Sequence, residues 1–173
     1  AGVAVFTSAL STRARETSKT DAITSAQAAL NVMSREIGNS GYGLTDNGVV
    51  ADSTSSVLHI RANIDNSNNT TTDPGEDIVF YLDGTGANRS VVRRDNNSGE
   101  ISGIINRISS VTFGYTNYVN FGTPTTGASP ETGKITITLT VNLEDVQGQP
   151  SGQNVTVSSD VTLRNSTYMR GEN

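Results

Sequence analysis

From Val3 to Ile37 no proline or glycine interrupts the chain, and from Val57 onward its apolar residues recur at a different interval. The first stretch repeats about every 3.6 residues, as a helix does, and the second about every 2, as strands do. Ile23, Ala26, Leu30, Met33 and Ile37 follow one another at spacings of three and four, which puts them on one helical face. Gly38 supplies a stop, with Asn39 and Gly41 behind it. The helix passes through three environments. Ala1 to Leu10 (AGVAVFTSAL) is apolar, Ser11 to Asp21 (STRARETSKTD) is polar nearly all round, and the remainder is amphipathic. A freestanding globular helix seldom reads that way; one that joins a membrane or filament core to a head domain does. Ala1 to Leu10 is too short to span a bilayer. We read it as the end of a longer hydrophobic helix, with Val3, Val5, Phe6 and Leu10 available for filament or membrane packing. The plain alternative is an ordinary amphipathic start.

Residues 39 to 56 form a Gly- and Asp-rich connection in which Asn47-Gly48 signals a turn. Strands are expected at Val57 to Ala62, Asp77 to Leu82 and Ser90 to Arg94. Asp83-Gly84 and Asn96 to Gly99 mark turns, and Ile101 to Ile108 is apolar but ambiguous. Val111, Phe113 and Tyr115 alternate with Thr112, Gly114 and Thr116, and Gly122 to Gly133 is a long loop. Two strands are clearest. In Lys134 to Leu143, residues Ile135, Ile137, Leu139, Val141 and Leu143 face one way and Thr136, Thr138 and Thr140 the other. In Val155 to Arg164, residues Val155, Val157, Val161 and Leu163 share a side with Ser159. Strict alternation means one covered and one solvated face. The helix face from Ile23 to Ile37 can cover it, so the expected fold is α+β, a long N-terminal helix packed on an antiparallel sheet of four or more strands. The parts are a helix (1–38), a connecting loop (39–56), a sheet head (57–165) and a C-terminal tail (166–173).

Composition narrows the function. There is no Cys, which excludes disulfides, thiolate metal sites and Cys nucleophiles. Net charge is -5 with no basic stripe, which disfavours nucleic acid, because phosphate neutralisation needs clustered Lys and Arg. His59 is the only His, so any Ser-His-Asp chemistry must use it. It alternates with Leu58 and Ile60 and is expected on the solvated face as an ordinary surface side chain. No phosphate loop or zinc spacing occurs, and we expect no enzyme.

Four features invite ligands or partners. Asp65, Ser67, Asn69, Asp73 and Glu76 carry side-chain oxygens at the spacing of a twelve-residue calcium loop. Against calcium, Thr70 stands where that loop needs Gly, Pro74 intrudes and the flanks are strands; a solvated loop is the plain alternative, and no other cofactor is indicated. Tyr115, Tyr118 and Phe121 interleave with Asn117 and Asn120, a set able to bind sugars, although a core Tyr115 with its neighbours packing a strand end accounts for it better. Arg93-Arg94 beside Asp95 and Glu100 is either a salt-linked surface or a subunit-docking face. Arg13, Arg15, Glu16, Lys19 and Asp21 form a polar waist on the helix, where ion pairs contribute little.

The order of these pieces resembles a known family. Ala26 to Leu44 (AQAALNVMSREIGNSGYGL) resembles the helix exit of PilW/PulJ-type minor pilins and pseudopilins of type IV pilus and type II secretion systems. Leu58 to Asp65 (LHIRANID), Asp73 to Asp83 (DPGEDIVFYLD), Val91 to Asp95 (VVRRD), Ile108 to Asn117 (ISSVTFGYTN) and Ser159 to Asn165 (SDVTLRN) resemble successive head strands. The resemblance implies a structural subunit whose hydrophobic helix anchors it in the inner membrane and then packs into a filament core. The head is then periplasmic before assembly and on a periplasmic or extracellular filament afterwards. Implied partners are other pilin or pseudopilin subunits, the inner-membrane assembly platform and the membrane itself; the implied role is to prime assembly or sit at the tip. The processing motif, the first half of the hydrophobic helix and its early acidic residue are absent from these 173 residues, which reads as a truncated form. A surface adhesin gripping a glycan through loops 65–76 and 116–133 is the alternative, and a hydrolase the remote one.

Overall fold

The computed structural model describes residues 2–66, 70–118, 125–143, 152–166, 169 and 171, without the side chains of 2–8 and 87. One helix, α1 (Gly2–Gly38), precedes seven strands. These are β1 (Val57–Arg61), β2 (Asp77–Asp83), β3 (Ser90–Asp95), β4 (Ile101–Asn106), β5 (Ile108–Asn117), β6 (Thr132–Asn142) and β7 (Asn154–Thr162). The class is α+β, a long N-terminal helix packed on antiparallel strands.

The strands divide into two sheets, β1-β2-β3-β4 and β5-β6-β7, each a meander. The division comes from one residue. Arg107, between β4 and β5, has φ of 58°, a left-handed conformation that turns the chain out of the first sheet. Short bonds then seal the corner, from Ile108 N–H to the Arg89 carbonyl (3.1 Å) and from Asn142 N–H to the Arg107 carbonyl (2.8 Å). The ambiguous run Ile101 to Ile108 is therefore a strand that ends one residue before the next begins.

Both sheets share one core. In β6 the buried set Ile135, Ile137, Leu139 and Val141 meets Val111, Phe113 and Tyr115 of β5, Leu58 of β1 and Phe80 of β2. The opposite face of β6 is a threonine ladder. Thr136 Oγ1 donates to Asp160 Oδ1 (2.6 Å), Lys134 Nζ to Asp160 Oδ2 (2.9 Å), and Thr140 faces Thr156 (3.3 Å). Cross-strand pairs of this kind add modestly to a sheet whose register is already set by its buried side.

α1 lies over the seam of the two sheets, resting chiefly on β7 and touching β4 and β6. Ser34 Oγ sits 3.5 Å from Ser159 Oγ on one side, and Arg93 Nε donates to both Glu36 oxygens (2.8 and 3.0 Å) on the other. The helix ends where Arg164 N–H reaches the Gly38 carbonyl (3.4 Å) and the Asn165 amide reaches that of Ser40 (3.1 Å). The connection that follows is tied down from within. Gly41 (φ 77°) and Gly48 (φ 71°) pack backbone to backbone, and a Cβ on Gly48 would collide with Gly41 N and the Arg61 carbonyl. Buried Asn47 shares its side-chain amide among the carbonyls of Ser129, Pro130 and Thr132 (2.9–3.1 Å), binding this loop to the start of β6.

Candidate functional site

The feature with the clearest functional content is the division of α1. Ala26, Leu30, Met33 and Ile37 are buried in the shared core, and Ala29 joins them. Ile23 is only half-buried and lies outside that cluster; Ala22, one position earlier, is the residue that packs against it. Ahead of Ala22 no described hydrophobic side chain of α1 packs against that core. Residues 9–21 are exposed except for Ser11 and Ser18, which are half-buried, and Leu10 keeps 53% of its surface in water. The side chains of Val3, Val5 and Phe6 lie outside the described residues. At about 1.5 Å per residue the 37-residue helix is about 55 Å long, so the stretch before Ala22 runs about 30 Å beyond the face it helps build.

The polar waist has its own chemistry. Thr17, Ser18, Thr20 and Thr24 each return a hydroxyl to the carbonyl four residues back, at 2.9–3.0 Å. Such back-bonding satisfies the hydroxyl on the helix itself and slightly weakens and bends the helix.

His59 departs from expectation. It is 7% exposed, not a surface side chain. Its alternation with Leu58 and Ile60 does direct it away from the core, but that outer face is covered. Asp52, from the turn before β1, meets Nδ1 at 2.9 Å, and Asp77 of β2 meets Nε2 at 2.7 Å. Arg61 Nε (2.7 Å) and the Asn96 amide (2.7 Å) also donate to Asp77. Both ring contacts are hydrogen bonds at once only when both nitrogens carry a proton. Burial pushes the Asp77 carboxyl up, but the bonds from Asn96, His59 and Arg61 outweigh it and hold Asp77 below its ordinary value. Each nitrogen is already matched to a carboxylate, so the ring has no free position from which to serve as a base toward a substrate.

Of the calcium candidates, Ser67 and Asn69 lie outside the described residues. Asp65, Asp73 and Glu76 do converge, each bringing one carboxylate oxygen within 4.8 Å of the others. Their exposure is uneven. Asp65 is exposed, Asp73 half-buried and Glu76 only 1% exposed. Glu76 Oε1 accepts the Ile64 N–H (2.7 Å) and Oε2 the Asp73 N–H (3.1 Å), so its first task is to close the loop onto itself. The spare lone pairs of three close carboxylates suit a hard cation, which takes six to eight oxygens. Asp95 plays a similar part nearby. Burial raises its carboxyl, but the N–H groups of Gly75 (2.7 Å), Asn97 (3.0 Å) and Ser98 (3.3 Å) bring it below its ordinary value.

The aromatic set does not form an open platform. Tyr115 is 1% exposed and its hydroxyl donates to the Thr54 carbonyl (2.8 Å); burial pushes its phenol well above the ordinary value. Tyr118 lays its ring over Gly133, where any Cβ would collide with it. Asn120 and Phe121 lie outside the described residues. Arg93 is spent on Glu36, while Arg94 points to solvent.

An apolar cleft of about 150 Å³ opens between the end of α1 and the first sheet, lined by Ile60, Ala62, Ile64 and Ile78 and flanked by the Glu36–Arg93 pair. No helix among the described residues is long and apolar enough to cross a membrane.

No protein-family model matches the chain, and no curated protein does. Among solved structures, the chain is similar to the type IV-like pilin TTHA1219 from Thermus thermophilus at 12% identity and a TM-score of 0.49, over 83% of this chain and 97% of that one.

Proposed function

We propose that this protein is a structural subunit of a type IV pilus or type II secretion pseudopilus, a minor pilin of the PilW/PulJ kind that primes assembly or sits at the filament tip. The observation that carries the reading is the helix that outruns its own domain. Most helical stability in proteins comes from packing an apolar face, and residues 9–21 of α1 add no hydrophobic side chain to the core of the head. A partner that packs the apolar segment Ala1 to Leu10 gives the stretch a purpose, and a bundle of equivalent helices supplies one. The ordered resemblance of the helix exit and head strands names the kind of filament. On this reading the head starts in the periplasm, held by the inner membrane, and later faces outward on the filament. Its partners are other pilin-type subunits and the assembly platform. The role is structural rather than catalytic, which agrees with His59 being held on both sides by carboxylates.

The test is genetic. Deleting the gene in its own host should abolish or sharply reduce surface filaments in electron micrographs, and the complete gene should restore them. A version limited to the head, from residue 22 onward, should not. Normal filaments in the deletion strain would contradict an assembly role; normal filaments with lost surface attachment would transfer the reading to an adhesin.

A further inference from the structure

The sheets of this fold have four edges, β1, β4, β5 and β7, and the chain closes two of them itself with backbone hydrogen bonds. Along β1, Val50 N–H bonds the His59 carbonyl (2.9 Å) and Arg61 N–H the Gly48 carbonyl (2.7 Å). Along β5, Phe113 N–H bonds the Ser55 carbonyl (2.9 Å) and Tyr115 pairs with Thr125. β7 and β4 remain, each paired on one side only and without a backbone hydrogen bond on its outer side among the described residues; α1 rests chiefly on β7 and only touches β4. Two concavities of about 320 and 440 Å³ lie between Gly103–Asn106 and Ser18, Ala22 and Ser25 of α1, so the helix touches β4 without filling the space beside its edge.

An open edge is normally protected by charge, proline or brevity, because its free N–H and C=O groups template another strand. β4 reads Ile-Ser-Gly-Ile-Ile-Asn, without a charge or proline, and Ile101 is 56% exposed. Charges occur only immediately outside it. Glu100 precedes and Arg107 follows, both exposed and neither in an ion pair among the described residues. An acid at one end and a base at the other is self-complementary when two identical strands run antiparallel.

We propose that β4 is a homodimer edge: two copies of this chain pair their β4 strands across a two-fold axis, with Glu100 of each opposite Arg107 of the other. The intervening pairs are Ile101 with Asn106, Ser102 with Ile105 and Gly103 with Gly103 across the axis, with Ile104 the extra residue in each copy, and none of them repels. The two sheets become one of eight strands, and the symmetry closes without propagating.

The backbone permits this register for a specific reason. Groups pointing to the free side of a strand recur at every second residue. Glu100 turns its carbonyl toward β3, where the Asp95 N–H meets it at 2.9 Å, and Arg107 is seven positions on, so in a regular strand the two would have opposite backbone orientations and could not stand opposite each other. The bulge in β4 removes the conflict. Its register with β3 jumps from Val92 opposite Gly103 to Val91 opposite Ile105, which makes Ile104 the extra residue and shifts the alternation by one. A bulge usually discourages edge pairing. Here it falls at the two-fold axis, where both copies carry it and their spacings match. This inference does not depend on the filament reading.

Sedimentation velocity on the 173-residue chain, from about 10 μM to about 1 mM, tests it, since pairing over so short an edge buries less than a standard interface and should be weak. The expected result is a concentration-dependent dimer. Arg107→Glu or Glu100→Arg alone should weaken it about tenfold by setting like charges opposite each other twice. The double reversal E100R/R107E should restore it. Both residues are exposed, so thermal unfolding of each variant should match that of the parent. A monomer across the range would overturn the proposal. So would an oligomer indifferent to the single reversals, as association through α1 would be, or one not recovered by the double reversal.

Discussion

Asp77 shows how much of this protein rests on buried carboxylates used as acceptors. It takes bonds from His59, Arg61 and Asn96, and its folded-state carboxyl lies below the ordinary value of 3.8, as do those of Asp95 and Asp160. A depressed carboxylate contributes stability that is complete above the unfolded-state value and is lost as pH falls through the folded one. The protein should therefore hold its stability down to about pH 4 and lose it progressively below, in thermal or urea unfolding followed against pH. Asp77→Asn should cost about 1–3 kcal/mol near neutral pH, since three donors lose a charged acceptor, and should flatten that acid limb. Unchanged acid sensitivity in the variant would remove Asp77 from this role. Gly48 is the second residue with a sharp expectation. Gly48→Ala must displace backbone at Gly41 and Arg61 while holding a positive φ, and should cost about 3 kcal/mol or more in urea unfolding. A loss within the error of the measurement would mean that the two glycines do not meet as described.

At the level of elements, α1 should behave as two helices of different stability. Amides around Met33 and Ile37 should exchange with deuterium only on global unfolding, while those from Leu10 to Thr20 should exchange through local opening. Uniform protection along α1 would contradict the division. Met33→Ala, fully buried beneath the sheets, should cost about 2–5 kcal/mol. Much of this level was legible in the sequence. The alternation in β6 and β7 and the three-four spacing of Ala26, Leu30, Met33 and Ile37 follow directly from burial on one face. Ile23 extended the pattern one turn too far, because periodicity marks a face but not where the partner surface ends. The break into two sheets was not legible, since it depends on a left-handed arginine between two stretches that both read as strand. Nor was the burial of His59, because Asp52 and Asp77, which meet its two ring nitrogens, come from outside its strand. The carboxylates converging at Glu76 were visible as a spacing of oxygens; their use in closing the loop was not, because it depends on backbone amides that carry no sequence signal.

For the whole molecule, the head and the end of α1 share one core, and the stretch ahead of Ala22 adds no described hydrophobic side chain to it. Deleting residues 1–20 should leave the melting temperature within about 4 °C of the parent, the scale of a 1 kcal/mol change in a domain of this size. A collapse of the fold would mean that the solvated stretch stabilises the head after all. The central claim, that this stretch is buried by neighbouring subunits, is tested most directly by a single cysteine, because the chain contains none of its own. Leu10→Cys, introduced into the gene in its host, would be probed with a maleimide in intact filaments and again after they are dispersed in detergent. A cysteine at Thr156, exposed on the head, provides the control. The account predicts that the cysteine at position 10 is shielded in filaments and reactive once dispersed, while that at position 156 reacts in both. Equal labelling of position 10 in both states, in a protein present in the filaments, would contradict it.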